Sequence, residues 1–239
     1  MLSWFPENIS TFGGDIDSVF SMIYYIVGFW FILTQCVLLY FLFRYRRRAG
    51  QRAVYNRGDR WSELAWVLIP VAIVLMLDLG IDVAGGPVWA RIKEQQPAGG
   101  VEVLVTAKQF NWSFTYPGPD GKFGTDDDLA IENELHVPVG QNVHLTLQAK
   151  DVIHSFFIPN VRLKQDVLPG RTIKGWFNAT KTGQFEIACA ELCGFGHYNM
   201  RGFLVVHDPA DYQKWVSEHW PSSATNAGVA PVDGPNQPG

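Results

Sequence analysis

From Val19 to Phe43 the chain runs for about 25 residues without an Asp, Glu, Lys or Arg, long enough to cross a bilayer as a helix. Lipid leaves little alternative, because backbone N–H and C=O groups there have no water to bond and must be satisfied within the segment. A cleavable signal is not expected. The apolar stretch is too long, and Met1–Ser18 holds acids but no Lys or Arg. A second apolar segment begins at Leu64 and runs to about Leu77. It reaches spanning length only by continuing through Asp78 to about Ala84. Asp78 and Asp82 then stand near the far interface, where a carboxylate reaches water; at mid-membrane they would cost several kcal/mol.

Arg44, Arg46, Arg47, Arg48, Arg52, Arg57 and Arg60 lie between the two segments. Short basic loops stay in the cytoplasm. The expected organisation is therefore a transmembrane hairpin over 19–84, with spans at about 19–43 and 63–84 and a cytoplasmic loop at 44–62. Residues 1–18 and everything from 85 onward fall outside. This topology accounts for the arginines, and a net charge of −4 argues against a nucleic-acid protein. Cys36, inside the first span, reads as a small apolar residue.

From Val101 the pattern changes to short alternating runs bounded by Gly and Pro. Strands are expected from Val101, over Phe110–Tyr116, from Asn142, and over Thr172–Phe177, Gly183–Ala188 and Gly202–His207. Short strands separated by turn signals indicate a β-sandwich or barrel. Asp208 can cap a short closing helix with Pro209 in its first turn. Residues 221–239, rich in Pro, Gly, Ser, Ala and Asn with almost no charge, predict a disordered tail.

The chemistry concentrates in C-A-E-L-C-G-F-G-H-Y-N-M at Cys189–Met200. Two thiols, an imidazole and a thioether within twelve positions are soft and borderline ligands that suit copper. The i, i+4 cysteine spacing is too wide for a zinc ribbon, and a second cysteine pair is missing. A single blue-copper centre needs one Cys, one Met and two His. The extra cysteine here is what a thiolate-bridged copper pair requires. The competing reading is a disulfide with incidental His and Met.

This loop resembles the binuclear copper (CuA) signature C-x-E-x-C-x3-H-x2-M of subunit II of the haem-copper cytochrome c oxidases. D-V-I-H-S-F at Asp151–Phe156 matches the family's D-V-x-H-S-[FW]. The resemblance implies copper ligands His154, Cys189, Glu191 (through its carbonyl oxygen), Cys193, His197 and Met200. It further implies a Greek-key cupredoxin-type sandwich over 85–220, and a magnesium shared between the Glu191 carboxylate and subunit I. E-L-A-W-V-L-I-P at Glu63–Pro70 is similar to the family's E-x-x-W-x-x-x-P, which makes Glu63 a candidate for the mouth of a proton path; otherwise it is a helix-start acid. L-K-Q-D-V-L-P-G-R at Leu163–Arg171 matches too, with Asp166 on the face near copper, where carboxylates attract a cytochrome's lysines.

One departure stands out. Where mitochondrial-type members read Q-W-x-W-S, this chain reads Q-F-N-W-S: Phe110 replaces the tryptophan proposed to receive electrons, and Trp112 keeps the second. No C-x-x-C-H haem motif is present. The donor implied is a cytochrome c-type protein, including the case of a domain on a partner complex. Pro117–Asp128 resembles an insertion; its acids fail EF-hand spacing and read as a solvated hairpin tip. His136, His144, His207 and His219 have no cysteine or acidic partner at ligand spacing and are expected to be surface or hydrogen-bonded residues.

The implied function is electron delivery into a respiratory terminal oxidase of the bacterial inner membrane, alongside subunit I, further membrane subunits and lipid. Oxygen reduction and proton pumping take place in subunit I. The alternatives are the copper subunit of a nitric oxide reductase and a stand-alone anchored copper binder.

Overall fold

The computed structural model describes residues 4–53, 55 and 57–220; the tail expected at 221–239 lies outside the described residues. The chain forms two units. The first is helical, Asp15–Ala90, and the second comprises Trp4–Gly14 and the residues from Arg91 onward.

Helix α1 (Gly13–Arg44) and helix α2 (Trp61–Trp89) are each long and apolar enough to cross a membrane. Gly85 near the end of α2 lies against Val19 near the start of α1. Helix α1 begins six residues before the charge-free run. Asp15 stands in its first turn, where the helix dipole favours a carboxylate. Helix α2 passes Asp78 and Asp82 without a break and continues as a π-turn over Ala90–Glu94. Pro70 and Pro87 lie inside it, as transmembrane helices tolerate.

Among the described residues ten strands form two five-stranded sheets. The first sheet has the order β3 (Leu129–Glu132), β2 (Asn111–Tyr116), β1 (Val101–Lys108), β5 (Asn142–Ala149), β8 (Ile173–Asn178). The second has the order β4 (Glu134–Pro138), β10 (Arg201–His207), β9 (Gly183–Cys189), β6 (His154–Ile158), β7 (Leu163–Val167). The fold class is the one expected: two apolar helices followed by a cupredoxin-like sandwich. Alternation places Val103, Val105, Trp112, Phe114, Leu145 and Leu147 in the core from one sheet. Leu135, Val137, Phe156, Ile187 and Leu204 enter it from the other.

The sequence pattern did not mark β3 and β4, which are separated only by Asn133. That residue adopts φ 61°, a left-handed conformation that Asn tolerates better than most residues. It turns the chain out of one sheet and into the other. Its Oδ1 accepts the Trp112 N–H at 3.0 Å.

Within the N-terminal segment 1–18, residues 4–14 belong to the β unit. Ser10 bridges Ala179 in antiparallel fashion, Ile9 N–H donates to Asn160 O (2.9 Å) and Thr180 N–H donates to Ile9 O (2.7 Å). Ile9 and Phe12 are fully buried. Residues 4–14 thus complete the β unit. The closing helix α3 (Pro209–His219) begins after Asp208, whose side chain makes no cap hydrogen bond; Tyr212 N–H reaches its carbonyl instead.

Candidate metal centre

Antiparallel pairing of β6 with β9 sets Phe156 opposite Cys189. The first residue of β6, His154, and the last of β9, Cys189, therefore share one end of the sandwich. The loop after Cys189 returns as β10, and its two ends are closed by Cys189 N–H donating to Met200 O at 3.1 Å.

The six residues singled out in the sequence meet here. Cys189 Sγ lies 3.8 Å from Cys193 Sγ, 3.9 Å from His154 Nδ1 and 3.3 Å from Glu191 O. Cys193 Sγ lies 3.7 Å from both His197 Nδ1 and Met200 Sδ. His154 is fully buried and both cysteines and Met200 nearly so. The cysteines are free thiols, which removes the disulfide reading from this structure.

These spacings can be tested against a metal. Bonds of about 2.3 Å to sulfur and about 2.0 Å to nitrogen at tetrahedral to trigonal angles put sulfur pairs about 3.8–4.0 Å apart and sulfur–nitrogen pairs about 3.5–3.7 Å apart. The two cysteines and the Cys193–His197 pair fall within these ranges, and the His154 and Met200 separations lie within about 0.2 Å of them, so little movement is needed to load an ion. Burial first, and then the neighbouring Cys189, push the Cys193 thiol up to about 11. Metal must therefore displace its proton.

Asp151 and Gln109 support the site, and the sequence reading gave neither a role. The His154 Nε2–H donates to Asp151 Oδ1 at 2.8 Å, which leaves Nδ1 free to face the cysteines. Asp151 also accepts the backbone N–H of Gln109 and of Val152, both at 2.7 Å. Burial opposes its charge, but the hydrogen bonds from His154, Gln109 and Val152 prevail and hold it below the usual carboxylate range. Gln109 Nε2 donates to Cys193 O at 2.6 Å, tying the same network to the loop. Outer partners of this kind typically change metal affinity by 10–100-fold. Asp151→Ala is accordingly expected to weaken metal affinity by about that factor, as read by chelator competition, without unfolding the sandwich.

Trp112 is fully buried, edge-on to His154 (6.1 Å) and to Phe156 (5.2 Å). Phe110 is half-exposed and lies flat on the loop: a Cβ at Gly196 would come within 2.5 Å of its Cδ2. Asp166 is not a free carboxylate. Its Oδ1 accepts Ser155 Oγ (2.7 Å) and Lys164 Nζ (3.0 Å), and these bonds, Ser155's foremost, lower its pKa. Glu63 occupies the first turn of α2, and its Oε2 accepts the Arg60 N–H at 3.4 Å.

One expectation for the remaining side chains needs amending. His136 is buried, and it does have an acidic neighbour, with Glu134 Oε2 3.3 Å from its Nε2. In the 117–128 tip, carboxylates bond the loop's own groups: Asp120 accepts Lys122 N–H (2.8 Å) and Asp128 accepts Gly124 N–H (2.7 Å).

Residues 101–207 match the family "Cytochrome C oxidase subunit II, periplasmic domain". The chain is 33% identical over 240 residues to the "Alternative cytochrome c oxidase subunit 2" of Bradyrhizobium diazoefficiens, covering 90% of this chain and 84% of that one. The chain belongs to the cytochrome c oxidase subunit II family. The subunit 2 of Thermostichus vulcanus is 31% identical over 260 residues, covering 88% of this chain and 76% of its own. A crystal structure of the periplasmic domain of subunit II (CoxB) of Bradyrhizobium japonicum aligns with TM-score 0.47 at 29% identity, over 52% of this chain and 96% of that one. As a subunit II, the chain is one component of a cytochrome c oxidase, an oxidoreductase, and a membrane protein with an extracytoplasmic domain.

Proposed function

We propose that this subunit II accepts electrons from a cytochrome c-type donor at a binuclear copper centre and hands them to haem in subunit I. The assembly sits in a bacterial inner membrane, and oxygen is reduced to water there with proton translocation. The observation that carries this reading is the convergence of two free thiols, two imidazoles, a thioether and a backbone carbonyl at 3.3–3.9 Å.

His154, Cys189, Glu191 (carbonyl), Cys193, His197 and Met200 are the ligands in this reading. The copper pair, when bound, supplies a one-electron redox centre. The chain's own part is to keep that centre rigid and dry. Asp151 locks the orientation of His154, Trp112 seals the inner side, and the strand pairing holds both ends of the loop. Small rearrangement between oxidation states lowers the barrier to electron transfer. Phe110, pressed on the loop and half-exposed, is assigned to the donor-facing side.

The Glu191 carboxylate, free when its carbonyl faces copper, is assigned to a magnesium shared with subunit I, since a hard oxygen donor suits that ion. Glu63 is assigned to the mouth of a proton path into subunit I.

The test is purification of the full-length chain from native membrane in mild detergent, with metal analysis and a redox difference spectrum. Copper on this chain together with a haem-bearing subunit I and donor-dependent oxygen uptake supports the reading. A lone copper protein without haem would overturn it.

A further inference from the structure

At the end of the second sheet away from the copper loop, helix α3 is held by aromatic stacking on histidines. Its buried residues are Tyr212, Trp215 and Val216. An eleven-residue helix with so small a core face is marginal on its own. The Trp215 ring stacks on His136 (4.5 Å, 13°), His207 (6.2 Å, 26°) and His219 (5.3 Å, 24°), and meets the edge of Tyr116 at 5.6 Å. Tyr116 fixes His136 in turn, accepting its backbone N–H (2.7 Å) and donating to its carbonyl (2.9 Å).

The two strand histidines share one proton. His136 Nδ1 and His207 Nε2 are 2.8 Å apart, so only one of the facing nitrogens can carry hydrogen. Glu134 accepts at His136 Nε2, which leaves His136 Nδ1 bare and makes His207 Nε2–H the donor. A first added proton has a place on the remaining nitrogen of His207 and leaves this chain intact. A second has only His136 Nδ1. It sets two N–H groups against each other and brings two positive rings into contact beneath Trp215.

We propose that the Glu134–His136–His207 chain is an acid-released latch that holds helix α3 on the sandwich, and with it the hairpin tip at 117–128. The connection to the tip runs through Trp220, whose Nε1–H donates to Asp127 O at 3.1 Å and whose ring contacts Tyr116.

The surroundings favour a neutral pair. Burial lowers His136 and His207 below the ordinary histidine value. Glu134 on β4 opposes this at His136, whereas His207 and His219 reinforce it, and Asp211 on α3 opposes it at His207. Tyr116 and Tyr212, raised by burial, stay uncharged. For depressed histidines the docked form is fully favoured above the ordinary pKa of about 6.5 and is lost as pH falls below it.

The test is hydrogen-exchange mass spectrometry on the copper-loaded, full-length chain in detergent, with rates corrected for intrinsic exchange. Protection of 209–219 and of 117–128, relative to β5, is expected to be flat from pH 8 to about 6.5 and to fall at least ~10-fold by about pH 4.5. His207→Gln offers an amide that donates to His136 Nδ1 without titrating; its α3 should keep protection within ~2-fold over the same range. A flat wild-type profile, or an equal loss in His207→Gln, overturns the latch. Should that variant fail to fold, 15N-histidine labelling of the wild-type chain decides the matter. His136 and His207 must titrate across the interval in which protection is lost, and titration completed with protection intact refutes the proposal.

Discussion

Given the proposed binuclear copper centre, replacing Cys193 by serine is expected to lower the copper content from about two ions per chain to one or none, because a hard hydroxyl is a poor substitute for a thiolate ligand. Cys193 stands at the middle of the cluster, within 3.7–3.8 Å of Cys189, His197 and Met200. Its loss therefore removes a shared contact of three other donors, not a peripheral one. Metal analysis and the visible thiolate-to-copper absorption of the purified chain provide the measurement. Electron transfer into subunit I should fall in proportion to the lost copper. Cys36→Ser is the control: that thiol lies on α1 and is exposed, so copper content should not change. Full copper retention in Cys193→Ser would refute the ligand assignment.

The second large effect is expected far from copper. Phe12 is fully buried and meets Trp176 edge-on at 5.3 Å. Phe12→Ala should destabilise the β unit by about 3–5 kcal/mol, the usual range for truncating a buried phenylalanine. Urea unfolding of the full-length chain, followed by near-ultraviolet circular dichroism, reads this as a lower midpoint. Leu192→Ala, at a side chain 77% exposed, should leave the midpoint within about 0.5 kcal/mol. A Phe12→Ala chain as stable as wild type would mean that residues 4–14 do not hold the unit together.

The same residues show why sequence reading succeeded in some places and not in others. A charge-free run announces a spanning helix because lipid demands it, but it does not locate the helix start. Asp15 and Asp17 interrupt the hydropathy, yet both lie inside α1. The metal loop was legible because five of its candidate donors fall within twelve residues and the sixth, His154, lies in a recognisable setting. Gln109 was not, since its contacts reach across 42 and 84 positions; Asp151 stands only three residues from His154, but spacing alone does not show that its carboxylate turns back to the imidazole. Ile9 and Phe12 sit in a stretch with no period, and their partners lie more than 150 residues on. The pairing of His136 with His207 spans 71 residues, and nothing local to either histidine signals it. Short strands fail for a different reason: four residues of β3 and five of β4 carry too few alternations to count, and the Asn133 turn between them resembles continuation.

The way the copper loop is bounded has a practical meaning. Cys189 N–H bonds Met200 O, and the next pair in register, Ala188 opposite Arg201, already belongs to the regular ladder between β9 and β10. Everything from 189 to 200 is therefore a cassette whose two ends are pinned side by side by ordinary strand pairing. Of the donors, only His154 is supplied from outside it. A sandwich with an antiparallel strand pair in the same register, a histidine on the adjoining strand and counterparts of Asp151 and Gln109 to hold that histidine and Cys193 has the socket this cassette fits. The centre could then be transplanted as a single twelve-residue graft and need not be rebuilt ligand by ligand.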